Sequence, residues 1–390
     1  MKEKITFKLS GGTLLKCLTG VSKAVKDKHT LPAYTYFLFE IAGDKLHITG
    51  TDLENQIEDT VGITEASGDM SFCVDRSMID FLKTLPEQPL LLEIVKRTET
   101  DKKTGNKTVS VSMDIIYASG KFTVSGYDPE YYEKMKHVDG DRFEIPVKKL
   151  LGRLKQARKF SSDDTLRPNI CSVFLDIKDD RVTFVSTSGM IVYKLDDFGL
   201  KGLPAKSLNI GSNTVDILIP ILERVQAGLA SIISSGGFMQ IAYGGTVITA
   251  MLRGRYVNYE SVFPSDTLIV AVTETDALKS LLRRMETTYD KIHTLTELNM
   301  DLSAMDFIST NTRCSRSARE SIPCESNGTI GIGVNASLLA QALSVIDTER
   351  VNLSFISPDK VIMVTPEEQA EDARLSLLVV PVILNQKRDK

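Results

Sequence analysis

The chain has 390 residues, 42% hydrophobic and 25% charged, which is the composition of a water-soluble globular protein of two or three domains. Its formal net charge is −4, so nucleic acid could be bound only where basic residues are locally concentrated. Five scattered cysteines without a CxxC pair argue against a disulfide framework and a zinc site. Because we find neither a secretion signal nor a run of about 18 apolar residues, we expect a cytoplasmic protein.

The first predicted helix follows the stretch Ser10-Gly-Gly-Thr13. We interpret Ser10 as the N-cap of this helix, because a phosphate-binding loop would need a GK[ST] ending that is missing here. The apolar face of the helix consists of Leu14, Leu15, Leu18, Val21 and Val25, and Lys16 and Lys23 lie on the opposite face.

The segment Lys148–Phe160 is the most strongly patterned helix of the chain. At about 100° per residue, one face carries Leu150, Leu151, Leu154, Ala157 and Phe160. The opposite face carries Lys148, Lys149, Arg153, Lys155 and Lys159, and the segment contains no acidic residue. One interpretation is an ordinary solvated surface helix; the other is a helix that packs on a core and presents its basic face to an anion.

The chain also repeats itself. Shifted by 136 residues, the first helix falls on the basic helix, and the segment 37–41 falls on 173–177. A weaker third copy begins with Ala277, Leu278 and Leu281, with Lys279 and Arg283 on the opposite helix face. Three equivalent helices with basic faces would suit a phosphate backbone that is bound without reading base sequence.

Each copy has the same predicted order of elements: a strand, an amphipathic helix, alternating strands, a second helix and further strands. We therefore expect an α+β protein with three repeated domains at 1–138, 139–265 and 266–390. Pro220 falls inside the second helix of the middle copy, where we expect the helix to start late or to bend.

Several short motifs resemble those of the DNA polymerase III beta subunit, the bacterial sliding clamp, and the resemblance extends over essentially the whole chain. They are Thr30-Leu-Pro32, Thr51-Asp-Leu-Glu54, Leu85-Pro86, Leu166-Arg-Pro-Asn169, Gly254-Arg-Tyr-Val-Asn-Tyr259, which is similar to GRFPDY, and Val379-Val-Pro-Val-Ile-Leu384, which is similar to VMPMRL.

The resemblance implies the DNA clamp fold, with antiparallel sheets outside and two helices per domain inside. It implies a ring formed by a head-to-tail homodimer that encircles duplex DNA and tethers the replicative polymerase. Such a protein is a processivity factor in DNA replication; it is not an enzyme, and it needs no cofactor and no metal. Its partners would be the polymerase III alpha subunit, the clamp loader and other proteins that carry a clamp-binding motif.

The resemblance also assigns residues to three surfaces. Sequence-independent DNA contacts would come from Lys16, Lys23, Lys28, Lys148, Lys149, Arg153, Lys155, Lys159, Arg167, Lys279 and Arg283. A cleft for partner peptides would be built from Ile170, Thr187, Gly189, Met190, Ile191, Val192, Val257, Ser261, Val262, Asn335, Leu338, Pro358, Lys360, Leu378, Val379, Val380, Pro381, Val382, Ile383 and Leu384. The dimer interface would include Phe122, Val124, Thr287 and Thr288.

Some positions depart from the family pattern. Met190-Ile191 replaces a His-Arg pair, Val257 replaces proline and Ile383 replaces arginine, so we expect a more apolar cleft. Thr287 and Thr288 replace apolar residues at the expected subunit edge. We expect the tail Asn385–Lys390, which follows the motif, to lie across the cleft or beside it. Removing Leu378 to Leu384 is expected to abolish partner binding without disturbing the fold.

Two alternatives to the sliding-clamp interpretation remain. The chain could be a divergent accessory clamp that does not serve the main replicase, or a hydrolase. Acidic pairs occur at Asp163-Asp164, Asp179-Asp180 and Asp196-Asp197, but we expect all three in turns. The four histidines have no metal-ligand spacing, so no active site can be assembled from these residues. Periodicity alone would place Met190, Ile191 and Leu338 in an ordinary core.

Overall fold

The computed structural model describes residues 2–100, 107–224, 227–266, 268–292 and 294–384. These residues form two compact units. The first unit contains 2–148 and 216–252, and the second contains 149–215 and 253–384. The three-domain division of the sequence remains a prediction.

The α-helices of the described residues follow the predicted order, two for each copy of the repeat. They are α1 (Gly11–Val21), α2 (Met78–Thr84), α3 (Val147–Arg158), α4 (Ser212–Glu223), α5 (Thr275–Glu286) and α6 (Ala336–Leu343).

The strands of the first copy are β1 (Lys2–Ser10), β2 (Tyr36–Ala42), β3 (Lys45–Thr51), β4 (Asn55–Gly62), β5 (Met70–Asp75), β6 (Pro89–Thr100), β7 (Lys107–Tyr117) and β8 (Gly120–Tyr127). Those of the second are β9 (Arg142–Pro146), β10 (Ser172–Lys178), β11 (Arg181–Thr187), β12 (Ile191–Asp197), β13 (Lys206–Gly211), β14 (Leu229–Ser235), β15 (Phe238–Tyr243) and β16 (Thr246–Met251). Those of the third are β17 (Ile269–Glu274), β18 (Thr296–Met300), β19 (Ala304–Asn311), β20 (Arg316–Pro323), β21 (Glu325–Ser326), β22 (Ile330–Val334), β23 (Arg350–Phe355), β24 (Ile362–Pro366) and β25 (Ala373–Val379).

The first unit contains one antiparallel sheet of twelve strands in the order β1-β6-β7-β8-β5-β2-β3-β4-β16-β15-β14-β9. The sheet continues from the first copy of the repeat into the second through the pair β4–β16, in which Ile57 lies opposite Ile248. Helix α1 packs on β3 and β4 and contributes Leu14 and Leu18, both fully buried, to the core. Predicted copies of the repeat therefore share hydrogen-bonded sheets.

The second unit contains a nine-stranded sheet, β13-β10-β11-β12-β25-β24-β23-β17-β21, and a four-stranded sheet, β20-β19-β18-β22. The nine-stranded sheet again joins two copies, because β12 of the second pairs with β25 of the third. Helices α5 and α6 pack against each other, and α6 also contacts β12 and β25. Antiparallel sheets with helices packed against them confirm the predicted α+β class.

The repeat of 136 residues is visible in atomic detail at the turn after the third strand of the first two copies. The Thr51 hydroxyl donates to the Asn55 carbonyl and accepts from the Leu53 amide. The Thr187 hydroxyl donates to the Ile191 carbonyl and accepts from the Gly189 amide. Leu53 has φ +71° and Gly189 has φ +88°, so both turns use the left-handed region.

Two predictions about helix starts have opposite outcomes. The Ser10 side chain accepts a hydrogen bond from the Thr13 amide at 3.1 Å, which confirms Ser10 as the N-cap of α1. Helix α4 begins at Ser212 and contains Pro220, so a late start is wrong, and the alternative, a bend at Pro220, stays a prediction. Apolar packing explains this, because Val215, Leu218 and Leu222 are fully buried and hold the helix together around the proline.

Candidate functional site

The basic helix α3 packs as its sequence predicts. Leu150, Leu154, Ala157 and Phe160 are at most 1% exposed, and the Phe160 ring stacks on Tyr193 of β12 at 5.2 Å. Lys148, Lys155 and Lys159 are exposed. The helix therefore has one face fixed in the core and a second face that carries lysines at the surface.

The basic face is not uniform, because two of its cations are paired with acids from elsewhere in the second unit. Asp197, the last residue of β12, is completely buried. Its carboxylate lies 3.2 Å from Lys149 Nζ and 2.9 Å from Arg153 Nε. Lys149 Nζ also lies 2.7 Å from Asp372, in the segment before β25. We call these four residues the Asp197 cluster.

Within the Asp197 cluster, ion pairing shifts the pKa values of Lys149 and Asp372 toward their charged forms. Partial burial acts to lower the pKa of Lys149, but hydrogen bonds to Asp372 and Asp197 outweigh it and raise that pKa above its usual value. The hydrogen bond from Lys149 lowers the pKa of Asp372. A Cβ atom on Gly199 would overlap Lys149 Nζ, so glycine leaves room for the cluster. Lys149 and Arg153 therefore stabilise the fold, a role that the sequence did not reveal.

The other predicted DNA contacts lie at the surface of their own units. In the first unit, Lys16, Lys23 and Lys28 are exposed on or just after α1. In the second, Arg167 and Arg283 are exposed, whereas Lys279 is half-buried and donates to the Ile346 carbonyl at 2.9 Å. Exposed cations thus occur on the first helix of each copy.

The predicted peptide cleft lies within the second unit, and its centre is the turn between β11 and β12. This turn presents Met190, which is 48% exposed. Gly189 and the buried Thr187 shape the turn, and Ile170 packs beneath Gly189. The Met190 carbonyl accepts a hydrogen bond from the Val380 amide at 3.0 Å, which joins the turn to the end of β25.

A second wall comes from the connector 254–263. Tyr256 stacks on Phe174 of β10 at 4.7 Å, and the Tyr259 hydroxyl donates to Asp176 at 2.8 Å. These anchors leave the intervening and following residues at the surface, where Val257 is 39% and Val262 47% exposed. Ser261 is also exposed, and Val192 packs against the Tyr256–Tyr259 pair. The connector thus presents two apolar side chains, Val257 and Val262, to solvent among polar residues.

Helix α6 and two nearby segments supply the remaining predicted residues. Asn335 is the N-cap of α6 and accepts from the Ser337 and Leu338 amides, so its role is to start the helix. Leu338 is half-buried, and Pro358 and Lys360 are exposed between β23 and β24. Of the terminal residues, Val380, Pro381, Val382 and Leu384 are half-buried and Ile383 is exposed.

Several residues assigned to the cleft lie instead in the interior. Ile191, Leu378 and Val379 are at most 1% exposed, because β12 and β25 are neighbouring interior strands whose residues 191 and 379 lie opposite each other. Ile170 and Thr187 are also buried. These residues pack beneath the predicted cleft and do not line it. The expected gain of apolar surface at Met190-Ile191 therefore comes from Met190 alone.

Two tyrosines of the connector predict opposite effects on stability. The Tyr256 hydroxyl is buried and has no hydrogen-bond partner among the described residues, whereas that of Tyr259 bonds to Asp176. We expect Tyr256→Phe to leave the Tm unchanged or to raise it, since no hydrogen bond is lost. Tyr259→Phe should lower the stability by about 1–2 kcal/mol. Calorimetry of both variants decides this, and equal losses would contradict it.

The predicted dimer residues have mixed positions. Phe122 is half-buried and stacks on Phe81 at 4.0 Å, and Val124 is buried. Thr288 is also buried, with its hydroxyl donating to the Met285 carbonyl. Of the two threonines, Thr287 alone is exposed, and their place at a subunit edge stays a prediction.

Several strands have an edge without a partner strand in the described part of the chain, and β8 and β20 are two of them. In the first unit, β8 pairs with β7 along its length, but with β5 only at Gly126 and Tyr127. In the second unit, β20 pairs with β19, and its other edge is unpaired. The amide and carbonyl groups of these edges are available to a further strand.

The acidic pairs have structural partners. Asp163 binds Arg158, Asp164 lies 3.3 Å from Arg167 and Asp180 binds Arg181. Asp196-Asp197 ends β12 and does not lie in a turn, which corrects that expectation.

Among the described residues, no group of three or more His, Cys, Asp or Glu is arranged to hold a metal ion. No helix in the described ranges is long and apolar enough to cross a membrane. His293 and the tail Asn385–Lys390 lie outside the described residues.

Comparison with known proteins matches both ends of the chain to one family. Residues 5–136 match the N-terminal domain model of the DNA polymerase III beta subunit, and residues 260–382 match the C-terminal domain model. The beta sliding clamp of Pseudomonas aeruginosa is 23% identical over 97% of this chain and all of its own length. The beta sliding clamp of Haemophilus influenzae is 21% identical over the same shares.

Solved structures agree in fold over the full length. The DNA polymerase III beta subunit of Thermotoga maritima superposes with a TM-score of 0.84 at 17% identity, covering 97% of this chain and 100% of its own. The sliding clamp of Bacillus subtilis gives 0.86 at 16% identity, covering 98% and 100%. Since the two domain models together match more than half of the residues and the fold agrees from end to end, the chain belongs to the DNA polymerase III beta subunit family, the replicative sliding clamps.

Proposed function

We propose that this protein encircles duplex DNA as a ring of two copies and tethers a DNA polymerase for processive synthesis. The observation that carries the proposal is the full-length agreement with sliding clamps, together with exposed cations on the first helix of each copy. Because a ring holds DNA by topology, its lining needs only weak, sequence-independent electrostatic contacts. The protein itself catalyses no reaction in this account, and it works in the cytoplasm, where its DNA is.

The ring is proposed to close by pairing the unpaired edge of β8 in one copy with the unpaired edge of β20 in the next. An edge strand recognises a partner through its main chain, and the contact joins different surfaces of the two copies, head to tail. Phe122, Val124 and Thr288 would then form the packed base of the interface, with Thr287 at its surface. Two such junctions close a ring of six domains, divided at 1–138, 139–265 and 266–390.

The exposed Met190, Val257 and Val262 and the half-buried Leu338 are proposed to form an apolar surface that binds short linear segments of the polymerase III alpha subunit and the clamp loader. Its composition suits an extended peptide with apolar anchors. The replacement of polar family residues by Met190 and Ile383 favours one further candidate, an accessory clamp with partners of its own. Binding of the replicase peptide separates the two, since an accessory clamp would not bind it.

Truncation tests the peptide surface. Leu378 and Val379 are core residues of β25, so the expectation that Leu378 to Leu384 can be removed without damage is wrong. The structure indicates a stop after Val380 instead. We expect this shorter chain to keep its Tm within a few degrees and to bind a labelled polymerase alpha peptide at least tenfold more weakly, because one wall of the cleft is lost. Fluorescence anisotropy measures the affinity, and an unchanged value would refute the assignment.

A further inference from the structure

The last described residues of the chain do not end as a free extension of β25. After Val379 the chain leaves the strand, and the Val380 amide donates to the Met190 carbonyl at 3.0 Å. Two residues later the Val382 amide donates to the Gly333 carbonyl of β22 at 2.8 Å. Residues 380–384, which we call the terminal segment, are thus fixed at two points of the second unit.

The contact with Gly333 leaves no room for a side chain. A Cβ atom on Gly333 would overlap the carbonyl oxygen of Val382. It would also lie 3.0 Å from Leu295 Cδ1 and 3.1 Å from Leu384 Cδ2. Gly333 is buried and has no positive φ, so backbone freedom does not explain the glycine. The close approach of the terminal segment explains why this position is glycine.

We propose that Gly333 is a positioning residue for partner binding, which acts by seating the terminal segment as a fixed wall of the peptide cleft. This inference rests on the proposed function of the cleft. Gly333 itself need not touch the peptide. When the terminal segment is already ordered, peptide binding does not cost the entropy of ordering it. A protein whose terminal segment is not held in place therefore binds the same peptide more weakly.

Gly331 provides a matched control. It lies on the same strand and, two residues earlier, on the same face. A Cβ atom there would meet only the Asn299 side-chain oxygen, at 3.0 Å, and no atom of the terminal segment. Gly331→Ala therefore makes the same chemical change without unseating the wall. Val382→Pro is a second test. It removes the amide that donates to the Gly333 carbonyl, and it leaves β22 intact because no residue of that strand is changed.

The experiment combines hydrogen exchange of the terminal segment with anisotropy of a fluorescein-labelled polymerase alpha peptide, on the full-length protein. For Gly333→Ala and Val382→Pro we expect segment amides that exchange at least tenfold faster and a peptide affinity about tenfold lower. Gly331→Ala should match the wild type in both. If Gly333→Ala unfolds the chain, Val382→Pro decides alone.

Unchanged exchange in Gly333→Ala would overturn the seating role, and faster exchange with unchanged affinity would overturn the positioning role. A wild-type protein that binds no peptide would instead refute the proposed cleft, and the positioning role with it. In that case exchange would still decide whether Gly333 seats the segment, so the two failures are distinguishable.

Discussion

Replacing Asp197 by alanine is expected to lower the free energy of unfolding by about 3–5 kcal/mol, the usual cost of removing one partner from a buried ion pair. Asp197 is completely buried and neutralises both Lys149 and Arg153. Without it, the two half-buried cations keep the half-exposed Asp372 as their acidic neighbour among the described ion pairs. Calorimetry or urea unfolding of the purified protein measures the loss.

Two comparisons make this result specific. Asp372→Ala should cost less than about 1 kcal/mol, because that carboxylate is 53% exposed and screened by water. The triple replacement of Lys149 and Arg153 by methionine and Asp197 by leucine should recover most of the lost stability. Equal losses of stability for Asp197→Ala and Asp372→Ala would contradict the account. Lys149 and Arg153 would then count as cations available to bind DNA.

Reversing three exposed lysines of α3 and its C-terminal end, with Lys148, Lys155 and Lys159 changed to glutamate, is expected to weaken DNA binding on the order of a hundredfold at 0.1 M salt. Each lost phosphate contact removes roughly 0.9 from the slope of log K against log salt, so the slope should flatten by about 3 for each copy. Lys149 and Arg153 are left unchanged because their reversal would place acids beside Asp197. Titration of a labelled duplex over a range of salt concentrations measures both quantities.

The matched control reverses three exposed lysines that lie on strands or beside them: Lys2, Lys45 and Lys201. This variant has the same net charge as the first, so any general repulsion of DNA is equal in both. We expect its salt slope to stay within about one of the wild-type value. If both variants lose the same slope, the α3 face has no special role in holding DNA.

The sequence predicts local features of this fold well, because local chemistry determines them. The N-cap at Ser10 and the apolar face of α3 follow from neighbouring residues. The equivalent turns at Thr51 and Thr187 follow from the repeat, since a threonine hydroxyl in the same position makes the same pair of hydrogen bonds.

Long-range pairing limits what can be predicted of the site. Asp372 lies 223 residues from Lys149, so no helical pattern reveals that α3 loses part of its charge. Ile191 is buried because β25 from the third copy lies against β12, and the alternation along one strand does not identify its neighbour. The seat at Gly333 depends in the same way on where the terminal segment returns to the fold.

The closed ring is the central claim, and the mass of the protein in solution tests it most directly. Light scattering across a dilution series should give about twice 43.1 kDa, a value that persists on dilution because two edge-to-edge junctions must open together to release a copy. A mass of 43.1 kDa at every concentration would contradict the ring, because a single copy leaves both strand edges unpaired and cannot close around DNA.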